Sequence, residues 1–114
     1  METTHTVWIT VGHSTTRPNA WTRSLSDESP WPVRFDQNVR DGVIFQGANI
    51  ITEVATLGEW QGEPEEGHAF LVEFAADAEH PIRGVLSYLA HKYGQEAIGF
   101  VGTCGGSTLI EALS

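Results

Sequence analysis

The run PIRGVLSYLAHKYGQEAIGFV, residues 81–101, decides the fold. Ile82, Val85, Leu86, Leu89, Ala90 and Tyr93 fall at i, i+3, i+4, i+7, i+8 and i+11, one apolar stripe at the helical period. Pro81 suits a first helical position, where its missing N–H costs no hydrogen bond. Gly94 suits the left-handed residue that stops a helix. Gln95 and Glu96 follow, and then Ala97 to Val101 reads as a short buried strand. The two polar residues therefore stand where a helix ends and a strand begins. Side chains at such a junction either form the turn or point into a cleft beside the strand ends.

Upstream, Ile50 to Leu57 reads IITEVATL, β-branched enough for a half-buried strand. His68 to Phe74 reads as its partner. Phe70, Val72 and Phe74 alternate onto one face, and Leu71 and Glu73 onto the other. Between them Gly58, Gly62, Pro64 and Gly67 punctuate the chain, so a hairpin with a long acidic tip is expected. Eight carboxylates and no Lys or Arg lie between Glu53 and Glu79. A solvated tip accounts for such a run as readily as a binding site does.

At the other end, Thr6 to Val11 (TVWITV) reads as a strand with Val7, Ile9 and Val11 on one face and Trp8 and Thr10 on the other. A polar loop, Gly12 to Thr16, follows, then a short helix over Pro18 to Leu25. Glu28 to Gly47 sustains no period and reads as a packed irregular loop, with Val43 to Phe45 as a short extra strand. After Val101, Gly105-Gly106 permits a tight hairpin turn into a last strand. The elements run strand, helix, strand, strand, helix, strand. This is the split βαβ, ferredoxin-like order in an α+β fold, extended here by a C-terminal strand. Residues 1–114 read as one such domain. Its helices cover one face of the sheet, so the face carrying Trp8, Thr10, Leu71 and Glu73 needs another cover, which an oligomer would supply.

Composition narrows the partners. The formal net charge is −9 and 40% of residues are hydrophobic. Such a chain folds, repels nucleic-acid phosphates and attracts cations, so direct nucleic-acid binding is not expected. The single cysteine, Cys104, forms no internal disulfide and reads as a packed thiol in a reducing compartment. No apolar run is long enough for a membrane span, and Met1 to His5 lacks a signal-peptide pattern; the expected setting is the cytoplasm.

Five histidines, His5, His13, His68, His80 and His91, show no zinc spacing, so neither a metal nor a cofactor is expected. Gly105-Gly106-Ser107 lacks the lysine of a phosphate-binding loop. No Ser/His/Asp grouping stands out. What remains is a set of carboxylates with an aromatic neighbour: Trp60, Glu63, Glu65, Glu66 and Glu96. Carboxylates beside an aromatic wall suit an organic cation.

These residues carry a resemblance. Gly58-Glu-Trp60 with the glutamates after it, and Tyr93-Gly-Gln95-Glu96-Ala-Ile98 leading into a strand, resemble the small phage-encoded S-adenosylmethionine lyases, long called SAM hydrolases. The likeness spans roughly residues 50 to 101. It implies a homotrimer of ferredoxin-like subunits with sites between subunits. It implies cleavage of S-adenosylmethionine to homoserine lactone and 5′-methylthioadenosine, which protects phage DNA from host defence that uses that methyl donor. By the same resemblance Glu96 and either Glu63 or Glu65 lie at the substrate, with Gln95 and Trp60 binding it. Two other readings fit the same residues: an acidic inhibitor that covers a basic surface of a host defence protein, and a nucleotide-binding module without turnover. Converging carboxylates favour the enzyme; carboxylates spread over one exposed face favour the inhibitor.

Overall fold

A computed structural model describes residues 3–13, 31–60, 62–103 and 106–113; the side chains of Trp60 and Glu63 fall outside the description. The elements are β1 (Thr4–Gly12), α1 (Trp31–Phe45), β2 (Asn49–Trp60), β3 (Glu63–Ala75), a 3-10 turn (Ala76–Ala78), α2 (Glu79–Lys92), β4 (Ala97–Gly102) and β5 (Ser107–Glu111). All five strands form one antiparallel sheet in the order β2-β3-β1-β4-β5. The fold is α+β, and both helices lie against one face of that sheet.

Alternation along the strands builds the core. Val7, Ile9 and Val11 of β1, Phe70, Val72 and Phe74 of β3, and Ile98 and Phe100 of β4 turn to the helices and are buried. Phe35, Val39 and Val43 of α1 and Ile82, Leu86, Leu89 and Ala90 of α2 meet them. The stripe expected of residues 82–93 is thus the core face of α2. The helix itself starts at Glu79, two residues ahead of Pro81.

One sequence expectation is overturned. Residues 31–45 form helix α1, where an irregular loop with a strand at Val43 to Phe45 was expected. The buried residues of α1 recur only at every fourth position, while Val33, Ile44 and Phe45 are exposed and blur the period. Pro32 stands in the first turn, where its ring is tolerated. The other expected helix, Pro18 to Leu25, lies outside the described residues, as do most of Gly12 to Thr16 and Cys104.

Both helices stop in the same way. In α1 the Gly47 N–H donates to Ile44 O at 2.9 Å and the Ala48 N–H to Val43 O at 3.0 Å. In α2 the Gly94 N–H donates to His91 O at 3.3 Å and the Gln95 N–H to Ala90 O at 2.8 Å. Gly47 and Gly94 take positive φ, 93° and 64°, as this double-bonded ending requires.

The hairpin is longer and tighter than expected. β2 and β3 pair as far as Trp60 opposite Glu63, so only two residues make the turn, with Gly62 at φ 84°. Pro64 does not break the ladder. The β1 pairing ends at Gly12 opposite Gly67, so β3 has no β1 neighbour beside Pro64 that would need its N–H. Among the described residues no helix is long and apolar enough to cross a membrane.

Candidate functional site

The sheet face away from the helices carries Thr6, Trp8 and Thr10 of β1 opposite Glu73, Leu71 and Ala69 of β3. Trp8, Thr10, Leu71 and Glu73 thus share one face, as their alternation in sequence predicts. Toward the hairpin end the face sinks into a groove of about 260 Å³. Its lining includes Thr10, Gly12, Thr56, Glu65, Gly67 and Gly99.

Three glycines in the groove lining mark close approaches of neighbouring groups. A methyl group on Gly67 would fall 2.2 Å from the Val11 carbonyl oxygen and 2.9 Å from Thr56 Oγ1. One on Gly99 would fall 2.1 Å from Thr10 Oγ1. One on Gly12 would fall 1.9 Å from Glu65 Oε1. The half-buried Glu65 carboxylate therefore occupies the space that any other residue at position 12 would fill. Glycine within a strand marks such close approaches. Gly12, Gly67 and Gly99 were the available sequence signal, hidden because the first two also read as turn residues.

The expected site residues separate. Glu65 lines the groove. Gln95 is buried, 8% exposed, and its side-chain nitrogen donates to Tyr93 O at 3.3 Å; its place is the helix-ending turn. Glu96 is half-buried, and its carbonyl accepts from the Ala112 N–H at 3.0 Å. Neither lines the groove, though the next residue, Ala97, does. β4 starts at the sheet end where the hairpin turns, so Gln95, Glu96 and Glu65 share that end. Trp60 and Glu63 face each other across the turn in backbone register. The Glu66 and Glu59 side chains are exposed on the same hairpin.

Not every acid of the run is available to a ligand. Glu53 Oε1 lies 2.5 Å from Arg40 Nη2 and 3.0 Å from His68 Nε2, and its Oε2 accepts from Arg40 Nε at 3.1 Å. The bonds from Arg40, then from His68, hold the Glu53 carboxyl below the usual range, and the same contact raises Arg40. Arg40 also stands 5.6 Å over the Phe70 ring, so this cluster ties α1 to the sheet.

A second pair, absent from sequence spacing, lies near the groove end. His13 Nε2 is 2.8 Å from Asp36 Oδ1, joining the end of β1 to the first turns of α1. Beside it Trp31, Phe35 and Tyr93 stack, with Phe35 and Tyr93 centroids 4.8 Å apart. The Tyr93 hydroxyl accepts from Asn38, and burial raises its pKa. Among the described residues no group of three His, Cys, Asp or Glu side chains is placed to hold a metal.

No protein-family model matches the chain, and neither a curated protein nor a solved structure does.

Proposed function

We propose that the protein is an S-adenosylmethionine lyase of the phage type, with the groove over Gly12 as the substrate's seat and Glu65 as the carboxylate that binds its ammonium. The observation that carries this reading is Glu65, a half-buried residue whose carboxylate lies against Gly12 in the groove. Of the two hairpin glutamates left open by sequence, Glu65 is the one whose side chain is described, and it lines the groove. The order of helices and strands, with β1 and β3 central, agrees with the ferredoxin-like arrangement that the resemblance implies.

The chemistry asks little of the protein. The substrate carboxylate, ionised at neutral pH, attacks the chain carbon bonded to sulfonium. The new C–O bond closes homoserine lactone. The C–S bond breaks, its electron pair going to sulfur, and 5′-methylthioadenosine leaves as a neutral thioether. No proton moves and no cofactor is consumed. Opposite charges cancel as the bond forms, so a pocket poor in water favours the step. Holding the chain curled supplies effective molarities that can reach about 10⁵ M. Glu65 would neutralise the ammonium and leave the carboxylate free to react. A net charge of −9 draws a cationic substrate in.

A groove open on one side needs a cover, and a homotrimer packing through the open sheet face would provide it; Val54 and Leu109 on that face are exposed apolar residues. The acidic-inhibitor reading has its own support in the exposed Glu59 and Glu66. Incubation with S-adenosylmethionine followed by mass spectrometry separates the readings. Methylthioadenosine release supports the lyase. Saturable binding without product leaves a nucleotide-binding module. Neither binding nor product leaves the inhibitor.

A further inference from the structure

A second cavity, of about 350 Å³, lies on the helix side of the sheet at the opposite end from the groove. His5 and Gly12 are seven residues apart along β1, about 24 Å at the rise of an extended strand. The cavity opens between the start of α2 and strands β1, β4 and β5. Its floor is apolar, from Val7 and Phe100, and its polar wall is made by His5, Glu79 and Arg83.

The polar wall is an ordered array. Glu79 Oε1 is 3.0 Å from His5 Nδ1, and Glu79 Oε2 accepts from Arg83 Nε at 3.3 Å. The guanidinium carbon lies over the Phe100 ring, 4.4 Å from its centre. Held through Nε, it keeps its two terminal nitrogens unbonded to any described residue, a fork of the kind that grips a carboxylate. Glu79 accepts one bond on each oxygen and has lone pairs left for a further donor.

We propose that this cavity binds a free α-amino acid with an apolar side chain: carboxylate on Arg83, ammonium on Glu79, and the side chain against the apolar floor at Val7. Charge decides against the simpler ligands. Arg83 and Glu79 carry opposite charges, so a zwitterion matches both and a singly charged ligand matches only one. A plain carboxylate would also meet repulsion from a protein of charge −9. A plain amine would leave the Arg83 fork unmatched. The volume is within the range of small-molecule sites. This site is independent of the lyase reading.

The test uses the full chain and three probes: L-leucine, 4-methylpentanoate, which lacks the ammonium, and 3-methylbutylamine, which lacks the carboxylate. Titrations are followed by amide nitrogen–proton spectra. L-leucine is expected to shift His5, Arg83 and Phe100 saturably, with each truncated analogue at least about tenfold weaker. Arg83→Gln and Glu79→Gln should each weaken L-leucine by about tenfold or more. Equal binding of L-leucine and either analogue overturns the proposal. So does the absence of saturable shifts at about 10 mM L-leucine, a concentration that registers even weak binding.

Discussion

The two faces of the sheet are made by the same strands and differ in almost every other respect. On the covered face, alternate residues are large and apolar, and Ile9, Phe70 and Val72 have no exposed surface. On the open face, the neighbours of those residues are Thr10, Ala69, Gly67 and Gly99, with Trp8 and Leu71 half-buried. One face is filled to exclude water. The other is emptied at one end so that a carboxylate fits against bare backbone. The packed core and the groove proposed for the lyase thus lie on opposite sides of one layer, and substitutions should separate along that line.

The largest effects belong to the covered face. Phe70→Ala should cost about 3–5 kcal/mol and Leu86→Ala about 2–5 kcal/mol, since each removes a fully buried side chain and leaves a cavity. Urea unfolding measures both. A cost below about 1 kcal/mol for either would mean that the covered face is not the core.

Next comes the groove. On the lyase proposal, Glu65→Gln should lower methylthioadenosine release about hundredfold, close to 2.7 kcal/mol of lost transition-state binding. Unfolding free energy should move by about 0.5 kcal/mol or less. Gly12→Ala sharpens the point without touching the carboxylate. Its methyl group would take the place of Glu65 Oε1, and the flexible end of that side chain must swing away. Activity should fall with Glu65 still present. Wild-type turnover in both variants would move the site elsewhere.

A smaller effect tests the joint between α1 and the covered face. Arg40 and His68 depress the Glu53 carboxyl, so the folded state binds its proton less readily than the unfolded chain. The resulting stability is complete above the ordinary carboxylate pKa and is lost as pH falls through the lower, folded value. Wild type should therefore lose about 1 kcal/mol more than Glu53→Gln between neutral and strongly acidic pH, a modest figure because the pair is partly exposed. Parallel acid titration curves for the two proteins would show that the contact stabilises nothing.

The same contrast governs what could be read from sequence. The covered face was legible because burial imposes a period: Val7, Ile9 and Val11 at two, and Ile82 to Tyr93 at the helical spacing. Helix α1 was not, because its three buried residues form a stripe one residue wide and its exposed Ile44 and Phe45 carry the opposite signal. Its stop at Gly47 was present but had no helix to attach to. The groove was legible only in part. Glu65 stands out as a carboxylate, yet it lies against Gly12 in a groove also lined by Gly67 and Gly99, and the three glycines lie on three different strands. Only strand register brings them together. Gln95 reads from sequence as a binding residue, and its side-chain nitrogen donates to Tyr93 O in the turn that ends α2.

The smallest expected change within a single subunit falls on the open face, at Val54. It stands opposite Ala69 in the register and is 45% exposed; Leu109, on the far side of the sheet, is 57% exposed. Replacing Val54 by Thr keeps the shape and the β-branch and adds one hydroxyl. If the face meets only water, that hydroxyl is solvated and the unfolding free energy should change by about 0.5 kcal/mol or less. If three subunits pack through this face, as proposed for the lyase, the hydroxyl leaves water in each subunit. Without a partner each costs about 1–3 kcal/mol, at least roughly fivefold in the dissociation constant. The expected result is a melting curve unchanged under conditions where the subunits are separate, with light scattering showing the variant dissociating at higher concentration than wild type. A wild type that is monomeric at micromolar concentration would leave the open face as a solvated surface. The groove would then have to bind its ligand uncovered, against the water-poor site that the lyase chemistry needs.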